Sequence, residues 1–284
     1  MVQSWGLMVP GAMPILEKVA QYVWWLSIAG YVALFIHLRR EGIQRIYRFF
    51  AVYVGFSVVS ALVLLIAVPI ARLISGNPSE KFGLEVYAVT WMSTEPVLWI
   101  LYILIVLEMY GLVLQKYPGI ASLGRWAVFV GLGIALTITA LTLSADFSNP
   151  SEKFPLIRLV LVAGRGIASS LVLFLLLITL FLSRYPVPLS RNVVVYSIVY
   201  ALYFLSMSMA MLVRNVAGPG TIDAVNIVSS AISLLCVVVW IRYLSRGGEA
   251  QTVTLRHRWR PEQAQHLIEQ LDSINSTLLR TARK

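Results

Sequence analysis

The chain is expected to fold as an all-α, polytopic membrane protein: a seven-transmembrane helix bundle followed by a short cytoplasmic C-terminal helix. Three observations predict this. Only 13% of the residues are charged, about half the 25% usual in a soluble domain. Apolar runs of eighteen or more residues recur along the chain, each long enough to cross a hydrocarbon core of ~30 Å. Those runs also lack the polar stripe that a helix of a soluble bundle keeps toward water.

The spacing of these runs predicts spans at about 19–38, 49–74, 85–114, 126–143, 155–182, 192–213 and 222–243, the fourth being the shortest. They make up a bundle over residues 1–246, with a polar tail at 247–284. Trp24 and Trp25 sit toward one end of the first span, and Arg39 and Arg40 close the other. The first fourteen residues carry no charge, so they do not read as a cleaved signal peptide with its basic leader.

Orientation follows from the distribution of Lys and Arg at the span ends. Sixteen fall on the side of the first, third and fifth loops and the tail, and six on the other. The expectation is a cell-membrane protein with its N-terminus outside and its C-terminus in the cytoplasm. The same distribution bears on the net charge of +10. A basic chain suggests nucleic acid, but these cations cluster at span ends and in the tail rather than on a soluble face, so the expected partner is the lipid bilayer, not nucleic acid.

A hexapeptide repeats: Asn77-Pro78-Ser79-Glu80-Lys81-Phe82 returns as Asn149-Pro150-Ser151-Glu152-Lys153-Phe154. Each copy precedes an outside-to-inside span, and those spans end alike, in Lys116-Tyr117-Pro118 and Arg184-Tyr185-Pro186. A helical-hairpin repeat accounts for this, as in transporters. The competing explanation is shared helix-start chemistry, since Asn, Pro, Ser and Glu all favour helix N-termini.

In the tail, Arg256-His257-Arg258-Trp259-Arg260 is a basic patch around one indole, suited to anionic lipid headgroups. Pro261 then opens a helix over 261–281. Its apolar residues Ala264, Leu267, Leu271, Ile274 and Leu278 alternate steps of three and four, the pattern of a coiled-coil seam. Two uses of the seam stand side by side: a homodimer through 264–278, or an amphipathic helix lying on the membrane or on the cytoplasmic loops.

Two ionisable residues lie deep in spans. Glu95 and Arg165 each stand ten residues into an outside-to-inside span, at ~15 Å depth. An unpaired charge there costs at least ~2.5 kcal/mol, so the two are expected to face each other or to share a polar pocket. Trp91, Glu95, Trp99 and Tyr102 line one stripe, and Pro96 can bend the helix beside Glu95. Arg158, Arg165 and Ser169 share a face of the fifth span. Tyr196, Tyr200, Tyr203, Met207, Met211 and Arg214 form a stripe on the sixth, and Asn226, Ser229, Ser230 and Ser233 one on the seventh. Convergence of these faces would give an outer-half pocket for a small amphipathic or anionic ligand. The bland alternatives are that Ser and Asn glue helices, that aromatic stripes are packing or interfacial belt, and that a buried Glu–Arg pair fixes helix register.

Other chemistries lack their residues. Cys236 is the one cysteine, so no internal disulfide and no Cys metal cluster can form. His257 and His266 have no ligand-spaced partner, so no metal site is supported. His37 is expected to snorkel or cap, and Glu108 to be interfacial. No His-Glu-x-x-His, Gly-x-Ser-x-Gly or phosphate loop occurs. The last span holds no lysine, which excludes an ordinary retinal protein. No cofactor and no enzymatic activity are expected. The layout resembles the input half of bacterial membrane sensors, a resemblance that no motif carries. The leading expectation is a sensory or partner-binding module, and the alternative a secondary transporter.

Overall fold

The structure is a computed structural model of the 284-residue chain. It describes residues 14–76, 79–122, 124, 126, 128–131, 133–134, 137, 155–185, 187, 189–217, 222–253 and 261–281. Six long helices dominate: α1 (Pro14–Arg40), α2 (Arg48–Ser75), α3 (Glu80–Val113), α4 (Pro155–Arg184), α5 (Arg191–Ala217) and α6 (Ile222–Tyr243). The described residues between 118 and 137 are also helical. A short helix α7 (Arg246–Ala250) and the tail helix α8 (Pro261–Thr281) complete the helical elements. Strands β1 (Leu189–Ser190) and β2 (Thr252–Val253) pair antiparallel, with Leu189 opposite Val253.

Among the described residues five helices are long and apolar enough to cross a membrane: Lys18–Arg40, Arg48–Ser75, Glu85–Val113, Arg191–Ala210 and Ala224–Tyr243. The two other spans expected from the sequence are less complete. The apolar part of α4 that qualifies is Gly166–Leu182. Much of the 126–143 stretch lies outside the described residues, and helix there begins earlier, at Pro118. Both copies of the hexapeptide fall partly or wholly outside them too. The described Ser79 is the N-cap of α3, and its hydroxyl accepts from the Phe82 N–H at 3.2 Å, which is the helix-start chemistry its residue type favours. Gly76, in the left-handed conformation at φ 63°, ends α2, a position only glycine takes without strain.

Neighbouring helices close a ring, α1–α2–α3–α4–α5–α6, in which α6 returns to α1, and α3 also meets α5 across the interior. The 118–137 helical residues lie along α3 and α4, with Gly124 against Tyr110 and Gly131 against Phe174. Polarity runs inside out relative to a water-soluble bundle. Leu73, Ile74, Leu173, Leu180, Leu235 and many other aliphatic side chains are exposed on the outside, whereas Ser27, Ser60, Glu95, Asn192, Asn226 and Ser233 are buried. Such an apolar exterior suits a hydrocarbon solvent and marks a membrane-embedded protein.

At the arginine-rich end the chain is bolted together by side chains that cap backbone. The Glu108 carboxylate accepts from the first N–H groups of α2, Phe49 at 3.0 Å and Phe50 at 3.4 Å, and from the Tyr196 hydroxyl at 3.5 Å. Those N–H groups have no partner within their own helix, and a carboxylate is the favoured charge at that end. His37 Nε2 lies 2.7 Å from the Leu244 carbonyl, just past α6. A carbonyl only accepts, so Nε2 carries the proton. The capping expected of His37 is thus what its geometry provides.

The segment after α6 folds back onto the same end. Asn192 Nδ2 donates to the Ser245 carbonyl and to Glu249 Oε1, both at 2.7 Å, and the Tyr47 hydroxyl donates to Glu249 Oε1 at 2.6 Å. The Arg246 N–H donates to Glu41 at 2.9 Å, and the β1–β2 ladder continues as Arg191 N–H to the Gln251 carbonyl at 2.8 Å. Helix α8 then rests on the turn after α3: Asn275 Oδ1 accepts from the Gly119 N–H at 2.7 Å, and Leu271 is fully buried. Ile274, from the same apolar seam, stays half-exposed at 47%.

Candidate functional site in the bundle interior

Glu95 sits in α3 with its side chain buried, one turn from both Trp91 and Trp99. Both indoles lie beside its carboxyl. The buried indole nitrogens of Trp91 and Trp99 make no hydrogen bond of ordinary geometry. The Trp99 indole packs by its Nε1 edge on Gly164 of α4, with Nε1 3.3 Å from where a Cβ would stand. Glu95 and the backbone around Arg165 are therefore on adjacent helices at neighbouring heights. The side chains of Arg165 and Arg158 lie outside the described residues, so the expected ion pair lies outside them as well.

Of the other residues singled out from the sequence, Tyr102, Tyr200 and Tyr203 are buried and meet in one cluster. Asn226 is buried in α6 and Ser230 half-buried. The cluster that forms is centred on phenols rather than on Glu95. The Tyr53 hydroxyl donates to Tyr203 at 3.4 Å, Tyr31 and Tyr53 hydroxyls stand 3.1 Å apart, and Tyr102 and Tyr203 hydroxyls 3.0 Å apart. Four helices, α1, α2, α3 and α5, each contribute one phenol to this chain. Their rings meet edge-on or tilted at centroid distances of 5.4–6.2 Å, the arrangement that the ring quadrupole favours.

Around the chain, Tyr47, Phe50, Tyr196, Tyr200, Phe204 and Trp240 complete an aromatic core toward the arginine-rich end. The Tyr200 hydroxyl is buried there without a hydrogen-bond partner.

A cleft opens above the phenol chain between α1, α2 and α3. Tyr31, Tyr53 and Tyr102 line it together with Ser27, Ser57 and Ser60 and the apolar Val58, Ala61 and Leu98. Its empty space of ≈ 460 Å³ includes the part open to the outside, and the enclosed part is only ≈ 30 Å³, room for about one or two waters. Sequence reasoning found Tyr102 and Tyr203 but missed Tyr31, Tyr53 and the serines. A signal was present: Ser27 and Tyr31 are four apart, and Tyr53, Ser57 and Ser60 step by four and three, so each set shares a helix face.

No group of three His, Cys, Asp or Glu side chains among the described residues is placed to hold a metal ion. Comparison with known protein families, with characterised proteins and with solved structures finds no match to this chain.

Proposed function

We propose that this protein is a non-enzymatic sensory or partner-binding membrane module, with its N-terminus outside and its tail in the cytoplasm. The observation that supports it best is the wiring of the tail. Glu249, six residues after α6, is held by Tyr47 from the α1–α2 link and by Asn192 from the start of α5, and α8 is held at Gly119 after α3. A ligand that shifts α1, α2 or α5 changes the partners of Glu249 directly, so that the tail reads the packing of the bundle. The differential contact required of any such switch is supplied by the clasp.

The test places a spin label on exposed Glu262 or Glu269 of α8 and follows its mobility in the full chain in lipid nanodiscs. Release of the clasp by Glu249→Gln should raise the label's mobility. Unchanged mobility in that variant sinks the sensory reading. The second reading, a secondary transporter, is favoured by one observation: buried Glu95 adjoins Pro96 inside a span, where a carboxylate and a broken ladder meet. Solute flux in proteoliposomes that disappears in Glu95→Gln would support it.

A further inference from the structure

Gly124 and Gly131 stand seven residues apart, about two turns, on the helix that follows α3. A Cβ would lie 2.6 Å from the Tyr110 ring at Gly124 and 2.5 Å from the Phe174 ring at Gly131, so glycine lets this helix pack tightly on α3 and α4. Beside Gly124, between these three helices, a cavity remains whose enclosed part is ≈ 150 Å³. A cavity of about that size, lined by Leu, Ile and Phe, stays dry and accepts a benzene ring, which is room for about six carbons. We infer that it seats one acyl chain of a phospholipid in the leaflet at the arginine-rich end, with the first carbons of the chain in the cavity and the phosphate toward Lys116. The inference deepens the sensory reading, for which it names a stimulus, and rests on that reading for its purpose but not for its chemistry.

The lining selects hydrocarbon. Apart from the Tyr110 phenol, its side chains, Val113, Leu114, Ile120, Leu177, Ile178 and Phe181, carry no polar atom. Water settles in a cavity only where about two to four polar groups receive it, and this lining does not supply them. An empty cavity leaves its walls without contacts on one side, a loss of dispersion energy that a fitting hydrocarbon restores. Lipid chains are as apolar as leucine, so one enters without a transfer penalty.

The opening decides which hydrocarbon. Val113, Leu114 and Ile178 are buried, but Leu177 is 47% exposed and continues a row with Leu173 and Leu180 on the outside of α4. The cavity is thus reached from the surface that the membrane solvates. Depth agrees. Leu177 and Phe181 lie seven and three residues before α4 ends at Arg184, roughly 10 and 5 Å below that end. One leaflet of a ~30 Å core is about 15 Å deep, so the cavity meets the part of an acyl chain near its ester and not the methyl end. Exposed Lys116 stands two residues past Leu114, in the turn that leads on to Ile120, where a lysine attracts an anionic headgroup. The same turn carries Gly119, whose N–H holds Asn275 of α8. A chain wedged between Leu114 and Ile120 therefore acts on the seat of the tail helix.

The experiment uses the full chain in nanodiscs of phosphatidylglycerol, a small part of it carrying a diazirine on one acyl chain, either near the ester or near the methyl end. The near-ester probe should label Ile120 and the Leu177–Phe181 stretch in preference to Val52, which is 56% exposed on α2 and four residues from the helix end at Arg48. The near-methyl probe should show no such preference. Leu177→Trp, which adds bulk at the opening, should abolish the preference for Ile120 and leave Val52 as it was, whereas Leu173→Trp, one turn away, should change neither. Lys116→Gln should lower Ile120 labelling by up to about five-fold, the worth of one lysine at an anionic surface. Gel filtration reports the folding of each variant. Equal labelling of Ile120 and Val52 in the unaltered chain means annular lipid only and overturns the seat, whether or not the variants fold. The same preference from the near-methyl probe, or unchanged Ile120 labelling in folded Leu177→Trp, overturns it too. A spin label on Glu269 of α8 separates the two ideas. Preferred labelling, with tail mobility alike in the native chain and Leu177→Trp, keeps the seat and removes the sensory role. A change in tail mobility without preferred labelling removes the seat.

Discussion

The phenol of Tyr47 donates to Glu249 across 202 positions of sequence, at 2.6 Å, and so fastens the tail to the link between the first two helices. Asn192 donates to the same oxygen, which makes Glu249 the knot of three chain segments. Tyr47→Phe should therefore lower stability by about 1.5 kcal/mol, the lower end for bonds to charged groups because Glu249 keeps some contact with solvent. Glu249→Gln should have a similar effect, and the double variant should lose less than the sum. Thermal unfolding in detergent checks this.

Alkali should open the same clasp. Burial, reinforced by the Glu249 carboxylate, pushes the Tyr47 phenol well above its ordinary value. The folded protein therefore holds this proton more tightly than the unfolded chain, whose tyrosines ionise near about pH 10. The clasp's contribution is complete below about pH 10 and is lost as pH rises beyond it. Unfolding midpoints measured across that range should fall more steeply in the native protein than in Tyr47→Phe.

Glu108 caps α2 from another helix. Glu108→Ala should cost about 1–2 kcal/mol, while Glu108→Gln, which keeps an acceptor, should cost about 0.5 kcal/mol through loss of charge at the helix N-terminus. Hydrogen exchange should locate the difference: protection of the Phe49 and Phe50 amides should drop in the alanine variant and largely survive in the glutamine one.

Gly119 admits the tail helix. A Cβ there would stand 2.7 Å from the Asn275 carbonyl oxygen and 3.1 Å from the Leu278 Cβ, and the backbone oxygen cannot rotate away. Gly119→Val should unseat α8 and expose Arg280 to trypsin about ten-fold faster, with cleavage tracking the open population. Cleavage at the native rate would show that α8 is held elsewhere.

Glu95 and Arg165 test the pairing that their depth demands. Glu95→Gln or Arg165→Gln alone should destabilise the protein by more than the double replacement, because one buried charge left alone costs more than none. Additive losses in the cycle would show that the two do not meet.

Five of the spans are legible in the sequence because a ~30 Å apolar run has few alternatives, and Trp91, Glu95, Tyr102, Tyr200 and Tyr203, grouped on helix faces by their spacing, are buried in the structure. Tyr31 and Tyr53 do not stand out in the same way, for a physical reason. Neither helix carries a charged residue at mid-depth to draw attention to a face, so the short Ser–Tyr spacing of α1 and α2 gains its meaning only once the neighbours are known. Glu108 is expected near the interface, and nothing local in the sequence shows that its carboxylate ends under the first turn of a different helix. Asn192, Glu249 and Tyr47 are unremarkable where they stand in the chain, and acquire meaning only through contacts 57 and 202 residues apart. Leu271 was expected on the tail seam, but periodicity alone does not say whether a seam meets a second copy, a membrane or, as at Gly119, its own chain.

The meeting of His37 with the Leu244 carbonyl spans 207 positions, and it closes the ring between its first and last helices. At about 5–20 residues per second of synthesis, α1 waits roughly 10–40 seconds in the bilayer before α6 exists. During that interval the face carrying Gly30, which packs on Leu234 and Val237 of α6, and His37 lacks its permanent neighbour. Biogenesis therefore ends, rather than begins, with the N-terminal helix finding its place, and a ribosome stalled before residue 222 should leave a bundle with a lateral gap that a membrane chaperone or a second chain can enter.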